Sequence, residues 1–275
     1  MNAADVSPAR PWPEYFIEAA GLGLFMVSAS AFAVLLEHPA SLARQALPDP
    51  FHRRALMGLA MGATAVALIY SPWCQRSGAH FNPAVTVTFF RLGKVAPRDL
   101  AGYVAAQFLG GAAGLALAAW LFGPALADPA VAFVATRPGA AGPLGAFVAE
   151  IVIAALLMSV VLLVSNTPRI ARFTGLCAGA CVMLFIAFEA PFSGMSLNPA
   201  RSFASALLAR DGTSLWIYFA APPLGMAAAA ACYRRTLGPA RVRCAKLQHA
   251  AHVRCIFCEY QAARLRDARV SGAPR

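Results

Sequence analysis

The sequence predicts an all-α membrane protein with six transmembrane helices and two shorter re-entrant helices, arranged as an inverted three-plus-three repeat. One reason is composition: 59% of the 275 residues are hydrophobic and 13% are charged, whereas about a quarter of the residues in a soluble domain are charged. The other reason is that the tripeptide Asn-Pro-Ala occurs twice, at residues 82–84 and 198–200. Each copy begins a short apolar run that is flanked by longer ones.

The first half of the chain contains three apolar runs that we expect to cross the membrane, since a span of about 30 Å needs about 20 helical residues. These runs cover residues 15–36, 55–70 and 100–122. Between the second and the third, residues 82–90 would reach only about half-way across as a helix. This run is too apolar for a surface loop, so we expect it to form a re-entrant half-helix.

The second half repeats this order. Its spans are predicted at residues 144–164, 173–190 and 215–233, and its short run is at 198–208. Because each half has an odd number of spans, the second half must lie inverted relative to the first, and paired interrupted segments in such repeats point to a site at their interface.

These boundaries predict three parts of the chain. They are an N-terminal tail at 1–13, a channel-like domain at 14–236 with repeats at about 14–122 and 143–233, and a C-terminal tail at 237–275.

Each Asn-Pro-Ala triplet is expected to begin a helix. Asn is a favoured N-cap, and Pro is favoured at the first helical position. The triplets are Asn82, Pro83, Ala84 and Asn198, Pro199, Ala200. The carboxamide oxygen would accept early backbone N–H groups, and we expect both amide hydrogens of each Asn to remain free to donate elsewhere.

Glu18 and Glu150 occupy the first span of each half. Acidic residues inside a membrane span are costly and are therefore functional candidates. Both could be satisfied by backbone N–H groups of the re-entrant loops. The alternative is a proton or coupling-ion site of a secondary transporter, although no His or Asp lies deep in another span to continue a proton relay.

The net charge of +11 is concentrated at the C-terminus, where residues 234–275 hold ten Lys and Arg but two acidic residues. Nucleic-acid binding is one interpretation of a basic tail. We favour a cytoplasmic tail near anionic lipid, with no nucleic-acid partner, because basic loops remain inside the cell. Most other Lys and Arg agree with cytoplasmic termini, whereas Arg44, Arg53 and Arg54 oppose this orientation.

The C-terminal tail also carries soft metal ligands at intervals of five, three, three and three residues. They are Cys244, His249, His252, Cys255 and Cys258. A Cys-x-x-Cys pair is a common half of a zinc site, and we expect no other cofactor. Free cytosolic thiols or acylation sites are the alternatives.

Two segments carry a resemblance to a known family: SGAHFNPAVT at 77–86 and SLNPARS at 196–202. Together with the two intramembrane glutamates, they resemble the aquaporin, or major intrinsic protein, family over residues 14–235. The resemblance implies that the half-helices meet at the bilayer centre, that Glu18 and Glu150 brace the re-entrant loops, and that His80 holds the first loop. It also implies a homotetramer in the cell inner (plasma) membrane.

The resemblance further implies an outer constriction at Arg201. Its predicted neighbours are Met195, Ile186 and Met61, with Gly62 as an alternative to Met61. Water-selective members typically have an aromatic residue and a His at these places. The apolar residues here therefore predict a wider constriction than that of a strict water pore.

The expected function is a passive channel for water and small neutral solutes that excludes protons and ions, since the positive ends of two half-helices repel cations. The alternatives are a channel mainly for glycerol, hydrogen peroxide or neutral metalloid hydroxides, and an ion-coupled transporter. An enzyme is not expected, because the sequence contains no nucleophile–base set or phosphate-binding loop.

Overall fold

The protein is described by a computed structural model that covers residues 11–249 and 253–270. Over these residues it is all-helical, with thirteen α-helices. In chain order they are α1 (Trp12–Glu37), α2 (Leu42–Ala46), α3 (Pro50–Tyr70), α4 (Pro72–Ser77), α5 (Pro83–Arg91), α6 (Pro97–Phe122), α7 (Pro124–Ala127), α8 (Gly142–Ser165), α9 (Thr174–Phe188), α10 (Ala190–Ser193), α11 (Pro199–Ala209), α12 (Leu215–Leu237) and α13 (Ile256–Val270). Single 3-10 turns lie at Ala132–Val134, Ala171–Phe173 and Pro239–Arg241. Of the predicted N-terminal tail, residues 1–10 lie outside the described part, and α1 begins at Trp12.

Six long helices and two half-length ones form the predicted membrane architecture. Among the described residues, five helices are long and apolar enough to cross a membrane by length and composition: α1, α6, α8, α9 together with the turn before it, and α12. The sixth is α3, whose first turn is polar. It begins at Pro50 rather than at the predicted residue 55, because the Asp49 carboxylate caps the helix by accepting from the Phe51 N–H at 2.7 Å.

The helix pairing reflects the two repeats. The first and third long helices of each half pack together, α1 on α6 and α8 on α12, while α3 packs on α9 between the halves. Glycines allow these helices to touch through their backbones. A Cβ added at Gly114 would lie 2.3 Å from the carbonyl oxygen of Gly23, and one at Gly179 would lie 2.7 Å from that of Gly62.

The half-helices α5 and α11 have 9 and 11 residues. Each packs against both α6 and α12, so each contacts its own repeat and the opposite one. A short helix precedes each of them: α4 and α10 are C-capped by Gly78 and Gly194, both in the left-handed conformation. In both halves, therefore, a short helix, a non-helical loop and a half-helix follow one another in the same order.

The C-terminal tail folds back on the channel domain. After α12, residues 242–249 form a non-helical segment that lies against the end of the pore near α4, and α13 packs behind it. We call this segment the tail strap and this end of the pore the tail-side mouth. The opposite end, next to the C-terminus of α1 and the first turn of α3, is the far mouth.

Candidate pore and its lining

The two Asn side chains tie the re-entrant loops to each other. Oδ1 of Asn82 accepts from the Ala84 N–H at 2.8 Å, and Oδ1 of Asn198 accepts from the Ala200 N–H at 3.1 Å, so both cap their helices. Nδ2 of Asn82 donates to the carbonyl oxygen of Leu197, and Nδ2 of Asn198 donates to that of Phe81, both at 2.7 Å. Capping thus leaves the amide hydrogens of each Asn available, and one hydrogen of each is donated to the opposite loop.

Residues 78–81 and 194–197, which lead into the half-helices, share an unusual backbone. In the first loop φ is positive at Gly78, Ala79 and Phe81, and in the second at the equivalent residues, Gly194, Met195 and Leu197. A left-handed conformation costs a non-glycine residue about 1–2 kcal/mol. Such backbone persists only where its surroundings fix it, and in both loops the fixing group is a buried glutamate.

Glu18 is fully buried and accepts four hydrogen bonds. Its partners are Ser77 Oγ at 2.7 Å, His80 N at 3.0 Å, Phe81 N at 2.7 Å and Gln107 Nε2 at 2.8 Å. A buried carboxylate is tolerated only when it is satisfied in this way. Glu18 therefore lies where the resemblance implied, against the backbone of the first loop.

Glu150 repeats this arrangement in the second half. Its partners are Ser193 Oγ at 2.9 Å, Ser196 N at 2.6 Å and Leu197 N at 2.8 Å. The two glutamates thus contact equivalent atoms of the two loops, as the inverted repeat requires.

Two tyrosines that the sequence reasoning did not assign to the site complete these anchors. Tyr103 donates to the carbonyl oxygen of Ser77 at 2.6 Å, and Tyr218 donates to that of Ser193 at 2.5 Å. Both rings are fully buried. The sequence contains a signal for this role, because each Tyr lies near the start of the last long helix of its half.

A cavity of about 280 Å³ runs past both Asn side chains. Towards the far mouth its lining includes Glu37, Arg54 and Met57, and towards the tail-side mouth it includes Ile69 and Leu247. The wall is mainly apolar, and its polar lining comes from the loops, the two Asn side chains and the charged residues Glu37, Arg54 and Arg201. The lining of this cavity therefore extends from one end of the helix bundle towards the other.

The four residues predicted for the constriction come together in this lining: Met61, Ile186, Met195 and Arg201. Gly62, the alternative to Met61, instead faces α9, where an added Cβ would lie 2.6 Å from the carbonyl oxygen of Gly179. The Nη1 atom of Arg201 is buried and has no hydrogen-bond partner among the described residues. Arg201 is therefore a cation in the wall of the cavity with unused donor capacity.

His80 is fixed on both of its nitrogens. Nε2 lies 2.7 Å from the carbonyl oxygen of Ala245, and Nδ1 lies 3.0 Å from Thr86 Oγ1. Because a carbonyl only accepts, Nε2 must donate, and in the neutral ring Nδ1 then accepts from the Thr86 hydroxyl. The ring is stacked between Phe89 and Phe257, so His80 joins the first loop to the C-terminal tail.

Four of the five tail residues predicted as metal ligands form a cluster. The ligand atoms of Cys244, His249, Cys255 and Cys258 all lie within 4.8 Å of one another, whereas His252 falls outside the described residues. Cys244 and His249 belong to the tail strap, Cys255 directly precedes α13, and Cys258 lies in its first turn. The strap and the helix meet at the cluster.

The thiols of this cluster differ in acidity. Hydrogen bonding with Cys244 lowers the pKa of Cys258 to about 5 and that of Cys255 to about 7. The same two sulfur contacts raise the pKa of Cys244. Burial is the largest single influence on the pKa of His249 and acts to lower it, but the hydrogen bonds to Cys258 and Cys255 and the charges of these two thiols together outweigh it, so the pKa is raised.

Comparisons with known proteins agree with this geometry. The family model described as Major intrinsic protein matches residues 6–233. Aquaporin NIP1-3 of Oryza sativa subsp. japonica is 37% identical over 173 residues, covering 62% of this chain and 58% of that protein. Aquaporin NIP1-2 of Arabidopsis thaliana is 35% identical over 184 residues, covering 65% of this chain and 62% of that protein. The chain thus spans about three fifths of the length of these relatives.

A solved structure shows the same fold. The aquaglyceroporin from Plasmodium falciparum superposes with a TM-score of 0.71 at 20% identity, covering 84% of this chain and 99% of that one. The matched family model covers both loops, both glutamates and every long helix but the last residues of α12. The chain belongs to the major intrinsic protein family.

Proposed function

We propose that the protein is a passive channel for water and small neutral solutes that excludes protons and ions. The observation that carries this proposal is the pair of half-helices whose capped N-termini meet at Asn82 and Asn198 in the wall of one cavity. Each N-terminus contributes about half a positive charge. A cation at this point is repelled by both of these charges, whereas a neutral molecule is not.

Hydrogen bonding at the centre supports proton exclusion. One amide hydrogen of each Asn binds the opposite loop, and the described residues provide no acceptor for the other. A water molecule between the two side chains would offer its oxygen to these donors, and so it could not pass a proton along the file. The centre of the pore therefore selects against charge and not against size.

Selection by solute size takes place in the part of the cavity towards the far mouth. Arg201 provides a charge and donors, while Met61, Ile186 and Met195 provide apolar walls. Apolar side chains offer no hydrogen bonds to a solute. A solute that itself has some apolar surface can therefore pass beside them without losing hydrogen bonds on that side. We propose that the permeants include small neutral solutes such as glycerol or hydrogen peroxide in addition to water.

We further propose a plasma-membrane location, cytoplasmic termini and a homotetramer. The positive-inside bias supports the orientation. Four basic residues between the start of α4 and the first turn of α6 lie on the same side as the basic tail: Arg76, Arg91, Lys94 and Arg98. Exposed apolar side chains on the long helices, such as Phe16, Leu109 and Trp120, support contact with lipid or with other subunits.

Stopped-flow light scattering on proteoliposomes tests the proposed function. We expect fast osmotic shrinkage with a low activation energy, uptake of glycerol down its gradient, and no response of either to a proton gradient. Empty liposomes are the control. Accumulation of solute against its gradient, driven by protons or sodium, would overturn the channel and favour the transporter alternative built on Glu18 and Glu150.

A further inference from the structure

The tail cluster has the dimensions of a tetrahedral metal site. Zinc binds thiolate sulfur at about 2.3 Å and imidazole nitrogen at about 2.0–2.1 Å, so tetrahedral ligands are separated by about 3.8 Å for two sulfurs and about 3.6 Å for a sulfur and a nitrogen. The Sγ atom of Cys244 lies 3.4 Å from that of Cys255 and 3.7 Å from that of Cys258, and His249 Nε2 lies 3.3 Å from Cys258 Sγ. Three sulfurs and one nitrogen therefore already surround a space of the right size.

The surroundings of the cluster suit a thiolate-bound cation. Zinc with three thiolates carries a net charge of about −1. The side chains of Lys246 and Lys94 both interact electrostatically with the thiols, and the Lys246 N–H points at Cys244 Sγ at 3.5 Å. Lys246 is 2% exposed, and a buried lysine of this kind is stabilised by nearby negative charge.

The segment that carries the first two ligands lies across the tail-side mouth. The Leu247 N–H donates to the carbonyl oxygen of Gly78 at 3.1 Å, and the Ala245 carbonyl accepts from His80. The Leu247 side chain is part of the cavity lining and is 7% exposed. The tail strap thus places an aliphatic side chain in the path of the pore.

Helix α13 covers the strap from behind. Phe257 is fully buried, and its ring is stacked on that of His80 with centroids 5.5 Å apart. Gly78 permits this approach, because an added Cβ would lie 3.0 Å from the Phe257 ring and 3.2 Å from Lys246. The cluster is the point at which the strap and α13 are held together.

We propose that Cys244, His249, Cys255 and Cys258 bind a Zn²⁺ ion, and that this metal centre fixes the tail strap across the tail-side mouth of the pore. The metal adds four bonds between the strap and the segment at 255–258, which are otherwise joined by apolar packing and by a hydrogen bond from Lys246 Nζ to the Arg254 carbonyl oxygen at 2.8 Å. Its removal would therefore loosen the strap while leaving the helix bundle intact. Leu247 would then leave the path and the mouth would widen. The metal centre does not depend on the proposed function, whereas its effect on flux does.

Metal analysis of the purified full-length protein tests the centre itself. We expect about one zinc ion per chain, as in structural sites with four protein ligands. In Cys255→Ser and Cys258→Ser we expect zinc affinity to fall by more than about tenfold, because a ligand is lost. Cys232→Ser is the matched control, since Cys232 is an exposed thiol outside the cluster, and it should retain zinc.

Two further measurements identify the ligands without relying on those variants. Cobalt substituted for zinc should give the intense visible bands of tetrahedral thiolate coordination in the unmodified protein. His249→Ala should weaken metal binding, whereas His252→Ala should not. Absence of bound zinc, loss of metal with His252 rather than His249, or a disulfide within the cluster of freshly purified protein would overturn the proposed centre.

The effect on the mouth is measured in proteoliposomes made from one preparation, half of it stripped of metal by a chelator before reconstitution. We expect the stripped protein to show several-fold higher osmotic permeability, to become sensitive to proteolysis between residues 237 and 256, and to recover both properties when zinc is restored. Zinc binding with unchanged permeability and proteolysis would overturn the link between metal and strap. A preparation that binds zinc but conducts nothing in either state would instead count against the proposed channel function.

Discussion

The carboxamide of Asn82 donates to the carbonyl oxygen of Leu197 at 2.7 Å, across the boundary between the two halves of the chain. Asn198 returns the same bond to Phe81. The two half-helices are therefore joined at their tips by a reciprocal pair of hydrogen bonds. This pairing fixes both the width of the pore centre and the direction of the remaining amide hydrogens.

Replacing either Asn with Asp should open the pore to cations. In Asn198→Asp the carboxylate can still accept from the Ala200 N–H, but it cannot donate to Phe81, and its charge opposes the positive helix ends. We expect a measurable proton or sodium leak in liposomes and a stability loss of about 1–3 kcal/mol for the lost bond. Asn82→Asp is the symmetry-matched variant and should behave alike. Proton tightness equal to that of the unmodified protein in both variants would show that these residues do not set charge selection.

Glu18→Gln and Glu150→Gln should destabilise the re-entrant loops. Each carboxylate now accepts hydrogen bonds from backbone N–H groups, whereas a Gln amide would turn its own NH₂ group towards some of these donors. The buried donors would then be unsatisfied, at a cost of about 1–3 kcal/mol each. We expect a lower thermal unfolding midpoint in detergent and reduced water flux. Asp211→Asn is the control, because Asp211 lies near the surface, where its carboxylate pairs with Arg137 and accepts from the Thr213 N–H. If the Gln variants melt like that control, the loops are held by other contacts.

Changing the size of Ile186 should shift the solute preference. Ile186→Ala widens the far part of the cavity, and Ile186→Phe narrows it, so we expect the ratio of glycerol to water permeability to rise in the first and fall in the second. Leu184→Ala, on the same helix but exposed, is the matched control and should leave the ratio unchanged. A ratio that stays constant in all three variants would place size selection elsewhere.

Gly114→Ala should weaken the contact between α1 and α6. The added methyl group would lie 2.3 Å from the Gly23 carbonyl oxygen, and relieving such overpacking requires a backbone shift that costs about 1–3 kcal/mol. The readout is the thermal midpoint in detergent. Gly212→Ala, where an added Cβ meets nothing within 4 Å, should melt unchanged. Equal midpoints for the two variants would show that the helices separate without cost.

The architecture could be predicted because it depends on local signals. Apolar runs of two lengths and a repeated Asn-Pro-Ala determine the order of spans, and the family match and the solved structure confirm the fold. Hydropathy predicts too late a start for α3, because His52, Arg53 and Arg54 make its first turn polar although Asp49 caps it. Helix α4 also has a signal in the sequence, a capping Ser71 followed by Pro72.

The details of the site depend on contacts between distant parts of the chain, which local patterns do not encode. The partner of Asn82 is a carbonyl oxygen 115 residues away, and a backbone carbonyl has no sequence signature. The same holds for the tail strap. Its candidate ligands are visible in the sequence, but the hydrogen bond from the Leu247 N–H to the Gly78 carbonyl oxygen joins backbone atoms far apart in the chain.

The crossed packing of the half-helices has a consequence for biosynthesis. Because α5 packs on α12, the last long helix, it cannot reach its final position until nearly the whole channel domain has left the ribosome. Until then, the polar backbone around Gly78 lacks its final neighbours in a membrane environment where unpaired N–H and C=O groups are costly. The half-helix must therefore wait at the membrane surface or in the insertion machinery, and the closing of the pore is a late step of folding.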